Sequence, residues 1–292
     1  MNDLFNEFNL LSLNNQQKNL IHLESFFNNL LNYHDNNCPW IYILKSLDYK
    51  YQKEIIISSE QIKKLKKGWK GKSNQFESRL LCKMDTLEDR PKIFKDLNIH
   101  ILSIKNGLYL ITPSSNYLKL NYHNTKLTKL TKLIKLNTNK NSQILNLGNS
   151  ETSMLDNLRY CGLFETKDYL NEPILFGSLL NGRHRCSFLT ILNGKKIKID
   201  GCQFETDGCF ESKNYILIIE LKNGKNINSF NIRQLYFPYR YIYDKIKNKK
   251  IISLFISKDK NNIIHIFKVD WKHPKIMTSI YQINHFTYKF DE

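Results

Sequence analysis

The chain lacks the features that would send it to a membrane, to an oxidising compartment or to a metal finger. Its six cysteines, at positions 38, 82, 161, 186, 202 and 209, include no C-x-x-C pair and no finger spacing, so they read as reduced, mostly buried thiols of a cytoplasmic protein. No apolar run approaches the roughly 18 residues of a membrane span. The opening residues (MNDLFNEFNL) lack the basic-then-apolar order of a secretory leader. A G-x-x-x-x-G-K-[ST] loop is also missing, which removes the P-loop nucleotide hydrolases. Acid is in short supply: 27 Asp and Glu stand against 44 Lys and Arg, a net charge of +17 with a pI near 9.4. That balance suits a polyanionic partner. Because the chain is rich in Lys, Asn and Ile, as AT-rich codons would make it, charge supports nucleic acid without proving it.

What is present is a globular composition, 41% hydrophobic and 12% aromatic over 292 residues, with room for two domains. Residues 17–33 carry Leu20, Leu23, Phe27, Leu30 and Leu31 at helical spacing, and residues 40–47 read as a second short helix. A strand follows at 54–58. Ser58 with Gln61 forms a capping-box signal for a third helix, strongly basic through Lys63, Lys64, Lys66, Lys67 and Lys70. Residues 74–91 contain a mixed-charge helix with Glu77, Arg79 and Lys83, and Asn106-Gly107 between two apolar runs marks a hairpin over 100–112. Short helices, a basic helix and a hairpin are the order of a winged helix, in which Lys63, Lys64 and Lys67 would face a DNA groove. A solvated lysine face is the plain alternative. The three-residue repeat at 125–136 reads as low complexity and a junction, which divides the chain into residues 1–140 and 141–292.

The second part is organised around residues 203–240. Residues 215–221 (YILIIEL) are apolar on both faces, as a strand covered on both sides would be. Glu220 and Lys222, two apart, leave one face at its end. A Lys213-Asn214 turn would pair residues whose numbers sum to 427, setting Asp207 across from Glu220 and Glu205 across from Lys222. Two converging carboxylates repel unless a shared proton or a cation relieves them, and Mg²⁺ takes such oxygen ligands. A Glu205–Lys222 cross-strand salt bridge is the bland reading of the same register.

Asp207, a spacer, then Glu220-Leu221-Lys222 resembles the D…(D/E)-x-K signature of the PD-(D/E)XK nuclease superfamily. The wider string, from QFETDG through IIELKNG to FNIRQLYFPYR, resembles a group of type II restriction endonucleases within it. Thr206 stands where the superfamily name has proline. The resemblance implies an α/β fold, a mixed sheet flanked by helices, preceded here by an α+β, winged-helix-like DNA-binding domain. It also implies Mg²⁺-dependent, ATP-independent hydrolysis of double-stranded DNA at a specific sequence. Asp207, Glu220 and Lys222 would be catalytic, with Asp207 and Glu220 holding the metal and Gln234 ordering the site or touching the DNA backbone. A separate methyltransferase would protect the host, and a homodimer is the easy route to cutting both strands of a palindrome. A DNA-binding regulator on a nuclease-like scaffold, or a repair or junction-cutting nuclease, are the alternatives.

Other residues join as contacts or candidates. Arg183 and Arg185 flank His184 after an Asn-Gly turn, as phosphate or base contacts would, and Arg233, Gln234 and Arg240 are expected to project from the helix after Lys222. Ser150 opens a helix over 150–162 whose Glu151 is a further acidic candidate, as is Glu205. The period-2 strand at 196–200 is expected to start the sheet. Ser229 is expected to cap the helix after Lys222, and Pro238 to end or kink it.

Overall fold

The computed structural model describes residues 38–50, 53–72, 76–122, 128–130, 150–180, 182–223 and 227–290. The expected helix at 17–33 and the junction near 140 lie outside them. The chain forms two compact units, and the architecture is α/β with mixed sheets flanked by a few helices.

The first unit comprises residues up to Lys83 with Arg90–Leu102 and Gly107–Pro113. Helix α1 (Pro39–Ser46) buries Trp40, Ile43 and Leu44. Strand β1 (Ile55–Ser58) leads into α2 (Ser59–Lys66), where the capping box is complete. The Ser58 hydroxyl accepts from the Gln61 N–H at 3.0 Å, and the Gln61 side chain accepts from the Ser58 N–H at 2.8 Å. The helix expected within 74–91 is α3 (Ser78–Leu81), with Glu77 at its N-cap, and Lys83 lies beyond its end. Pro91 then precedes α4 (Lys92–Asp96). Strands β2 (His100–Lys105) and β3 (Leu108–Thr112) form the expected hairpin, with Gly107 at φ +71°, and β1 pairs antiparallel with β3.

The second unit holds Ser114 onward together with Met84–Asp89 and Ser103–Asn106. Strand β4 (Tyr117–Lys119) and a short β5 (Thr128–Leu130) precede α5 (Glu151–Tyr160). The Ser150 hydroxyl caps α5 by accepting from the Ser153 N–H at 3.0 Å. The rest of the unit comprises β6 (Ile174–Phe176), β7 (His184–Leu192), β8 (Lys195–Phe204), β9 (Gly208–Ser212), β10 (Tyr215–Asn223), β11 (Ser229–Asn231), α6 (Arg233–Lys245), β12 (Lys250–Lys258), β13 (Ile264–Trp271) and β14 (Ile280–Phe290). Seven strands form one mixed sheet in the order β5-β14-β13-β12-β10-β9-β6. Within it β10 runs parallel to β12 and antiparallel to β9.

Leu217, Ile219 and Leu221 of β10 face Met154, Leu155 and Leu158 of α5, with Leu254 and Ile256 of β12 beside them in the same core. On the opposite face Phe230 stacks on Phe255, ring centroids 4.4 Å apart. Strand β10 is thus covered on both sides, as its composition requires.

Two expectations about this unit are corrected, and a third, that Pro238 ends or kinks α6, is narrowed. The strand containing residues 196–200 does not start this sheet. It lies in β8, which pairs with β7, and β6 takes the place beside β9. Ser229 is buried in β11 and caps nothing. Helix α6 starts at Arg233, whose N–H donates to the Asn231 side chain at 3.2 Å. Pro238 does not end the helix, which continues to Lys245. The proline forgoes one backbone bond, but burial of Leu235, Tyr236, Phe237 and Tyr239 around it outweighs that loss.

Candidate active site

The β9–β10 hairpin forms in the register read from the sequence, Ile216 opposite Glu211 through Ile219 opposite Gly208. Glu172 pins its turn. One carboxylate oxygen accepts from the Asn214 N–H at 2.7 Å and from the Ser212 hydroxyl, and the other accepts from the Asn214 side-chain amide at 2.7 Å. These hydrogen bonds hold the Glu172 carboxyl below its usual range, that from Ser212 most.

The ladder ends at Gly208. A Cβ there would stand 2.9 Å from a methyl of Leu155 in α5 and 3.1 Å from the Phe210 ring, so any larger residue would make those side chains shift. Asp207 therefore joins the site from a loop. Its Oδ2 accepts the Leu221 N–H at 2.7 Å, which carries the carboxylate to the end of β10 beside Glu220. Thr206, buried before it, donates its hydroxyl to the Leu180 carbonyl at 3.3 Å. Glu205 is not opposite Lys222. It turns away to Arg183 at 3.3 Å, a pair exposed on both sides, so the bland cross-strand bridge is absent.

Glu220 is 7% exposed. Its Oε1 accepts from Lys222 Nζ at 2.6 Å and from Gln234 Nε2, on the first turn of α6, at 2.6 Å. Burial raises its pKa, against the attraction of Lys222 and with added repulsion from Asp207 and Asp85, to about 7. Burial alone would lower the pKa of Lys222. Attraction to Glu220, and then to Asp207 and Glu151, more than reverses this and keeps the ammonium charged.

Glu151, at the start of α5, therefore does reach the neighbourhood of the lysine. Asp85 was not singled out from the sequence. It lies in Met84–Asp89, tied to β11 by the Asn231 N–H donating to the Asp85 carbonyl at 2.7 Å and the Leu87 N–H donating to the Ser229 hydroxyl at 2.8 Å. No local pattern marks it, because its approach to Glu220 is made by this strap across about 140 residues of chain.

Among the described residues no group of three or more His, Cys, Asp or Glu side chains is arranged to hold a metal ion. A pair is. Asp207 Oδ1 and Glu220 Oε2 accept no hydrogen bond among the described residues, and the buried Gln234 Oε1 has no partner. Two carboxylates with one unused oxygen each, in a place costly enough to raise one pKa to about 7, fit a hard divalent cation.

The remaining candidates are dispersed. Lys63, Lys64 and Lys67 are exposed on and just after α2 in the first unit. Arg183 and Arg185 are exposed at the start of β7, while Arg233 is half-buried near the Cys186 and Cys202 thiols. Arg240 is fully structural, 3% exposed and paired with Asp244 at 3.0 Å. All six cysteines are free thiols; Cys186, Cys202 and Cys209 are buried, and burial pushes Cys186 and Cys209 up to about 12. Among the described residues no helix is long and apolar enough to cross a membrane.

An α/β unit with an acidic, lysine-bearing strand end is the class that fold and site define. Residues 115–289 match the family described as a domain of unknown function, DUF6997, and the chain belongs to that family. Residues 40–111 match a second domain of unknown function, DUF6996. Searches of curated proteins and of solved structures return no match.

Proposed function

We propose that the protein is a type II restriction endonuclease of PD-(D/E)XK type, hydrolysing phosphodiester bonds of duplex DNA at a specific sequence with Mg²⁺ and without ATP. The observation that carries the reading is the convergence of Asp207, Glu220, Lys222 and Gln234 at the end of a buried strand. The surrounding order also supports it: a helix (α5), three antiparallel strands (β6, β9, β10), a helix (α6), then a strand parallel to the third (β12). In the first unit, the order α1, β1, α2, two short helices and a hairpin whose second strand pairs with β1 supports a winged-helix-like DNA-binding domain.

Asp207 and Glu220 would hold Mg²⁺ through their unused oxygens; when bound, the ion supplies Lewis acidity toward a phosphate oxygen. The protein's own groups do the rest. Lys222, kept charged by its carboxylate neighbours, serves as a donor. It orients the attacking water and stabilises charge on the phosphate as the water oxygen, giving up a proton to solvent, bonds phosphorus and one P–O ester bond breaks, the leaving oxygen taking a proton from solvent. The first-turn amide of Gln234 fixes the Glu220 rotamer. Separate cognate methylation and a homodimer go with this reading.

A DNA-binding protein without catalysis is the second reading, favoured by the absence of a three-residue metal cluster among the described residues. Incubating the purified protein with long unmethylated DNA and Mg²⁺ separates the two. Discrete fragments, abolished by EDTA, are expected; intact DNA that is nevertheless bound at defined sites would establish the second reading instead.

A further inference from the structure

Strands β7 and β8 form a long antiparallel ribbon outside the seven-stranded sheet, joined on the β8 side to the end of β2 by the single parallel pairing of Lys105 with Asp200, and the site described above makes no use of it. Its turn is Asn193-Gly194, both residues at positive φ (+46° and +81°), the backbone a tight two-residue hairpin needs. Burial alternates strictly along β7. Cys186, Phe188, Thr190 and Leu192 are buried, whereas Arg185, Ser187 and Leu189 are exposed. Across the ladder, exposed Gln203 lies opposite Arg185, exposed Lys198 opposite Leu189 and exposed Lys196 opposite Ile191. A bulge interrupts the register between Cys186 and Phe188. There Gly201, at φ +61°, donates its N–H to the Ser187 hydroxyl at 2.8 Å, and such a bulge coils the ribbon and re-aims its side chains.

We propose that this ribbon enters the major groove of duplex DNA and reads base edges there, with Arg185, Gln203, Lys198 and Leu189 as its contacts. The inference rests on the nuclease reading for its partner and adds where that partner is recognised. The major groove, about 12 Å wide, admits a two-stranded ribbon, and these side chains match what it displays: arginine or lysine for guanine, glutamine for adenine, an apolar side chain for the thymine methyl. Arg185, Lys196 and Lys198 form no ion pair among the described residues, so their charge is available to a polyanion. The same unpaired cations argue against a second copy of the chain as occupant, since two such rows would repel.

The ribbon's inner face ties it to the site. Thr190 Oγ1 and the Tyr236 hydroxyl are 2.9 Å apart, and the buried Arg240 donates to the Leu189 carbonyl at 3.1 Å. Phe188 packs edge-on against Tyr236 and Phe237. All three partners belong to α6, the helix whose Gln234 grips Glu220. The reader and Glu220 are therefore both held by one helix, which sets the distance from recognised bases to the cut phosphate.

The test selects bound duplexes from a randomised pool in Ca²⁺, using the full chain and its Arg185→Ala, Arg185→Lys, Lys198→Ala and Gln203→Ala variants, each first shown to melt like the parent. Each alanine variant should lose at least about tenfold of its base preference at one or a few adjacent positions, the value of one bidentate contact. Arg185→Lys should lose preference there while keeping affinity for random DNA. An unchanged motif in all variants, or substitutions that alter sedimentation and leave the motif alone, would overturn the proposal. A parent that cuts at a defined site while every variant keeps its motif removes the ribbon and leaves the nuclease. A parent that selects a motif but never cuts in Mg²⁺ does the reverse, and a parent that binds no duplex removes both.

Discussion

Glu220→Gln should change how stability depends on pH. The Glu220 carboxyl has an ordinary value near 4.5 and rises to about 7 in the fold. Between those pH values the folded chain keeps a proton that the unfolded chain gives up, so stability falls as pH rises through this window and levels off above about 7. At 1.36 kcal/mol per pH unit the loss is about 3 kcal/mol, a sizeable share of a domain's typical 5–15 kcal/mol. Glutamine is isosteric, still accepts at Oε1 from Lys222 and Gln234, and cannot ionise. Its stability relative to the parent should therefore climb by about 2–3 kcal/mol from pH 5 to pH 8, the rest of the loss lying below pH 5. Urea unfolding of both proteins in EDTA at pH 5, 6, 7 and 8 measures this. Adding Mg²⁺ at pH 8 should raise the parent's midpoint by mass action and move the variant's much less. A difference between the two proteins that stays constant from pH 5 to pH 8 would refute the argument that burial raises this carboxyl.

Lys222→Ala should fold and bind DNA, while cleavage falls by at least about 10²-fold, the low end for one catalytic group. Cleavage at near-parental rate would refute its role. Replacing Mg²⁺ by Ca²⁺ should preserve site-specific binding and stop or greatly slow cutting, since Ca²⁺ is the weaker Lewis acid; full cleavage in excess EDTA contradicts this outright. Changing Lys63, Lys64 and Lys67 together to Ala should lower affinity for all duplexes and flatten its salt dependence, as filter binding across salt concentrations would read. Gly208→Ala should destabilise the second unit by about 1–3 kcal/mol through the clash with Leu155, and an unchanged melting midpoint would show that α5 gives way freely.

Much of the local structure was legible because its causes are local. The Ser58–Gln61 box, the Asn106-Gly107 hairpin, the Ser150 cap and the 427 register each depend on residues a few positions apart, and each forms. The pairing of Glu220 with Lys222 followed from the two-residue period of a strand. Where tertiary packing competes with local preference, the sequence misled. Pro238 is overridden by the burial of its neighbours, and Ser229 was drawn from a cap into a strand by pairing with Lys119.

The sequence by itself determined that one buried strand ends in a carboxylate and a lysine, with a second carboxylate a hairpin's length before it, because periodicity and turn chemistry are written residue by residue. Only the tertiary structure decided the rest of the site's surroundings. A bond from the Leu221 N–H, made where the ladder stops, brings Asp207 to Glu220 while Glu205 leaves with Arg183. A strap anchored on β11 delivers Asp85, and the first turn of α5 delivers Glu151. The strand at 196–200 was visible as a strand, but its pairing with β7 on one side and with the end of β2 on the other was not, because strand partners are chosen by long-range packing that no local pattern encodes.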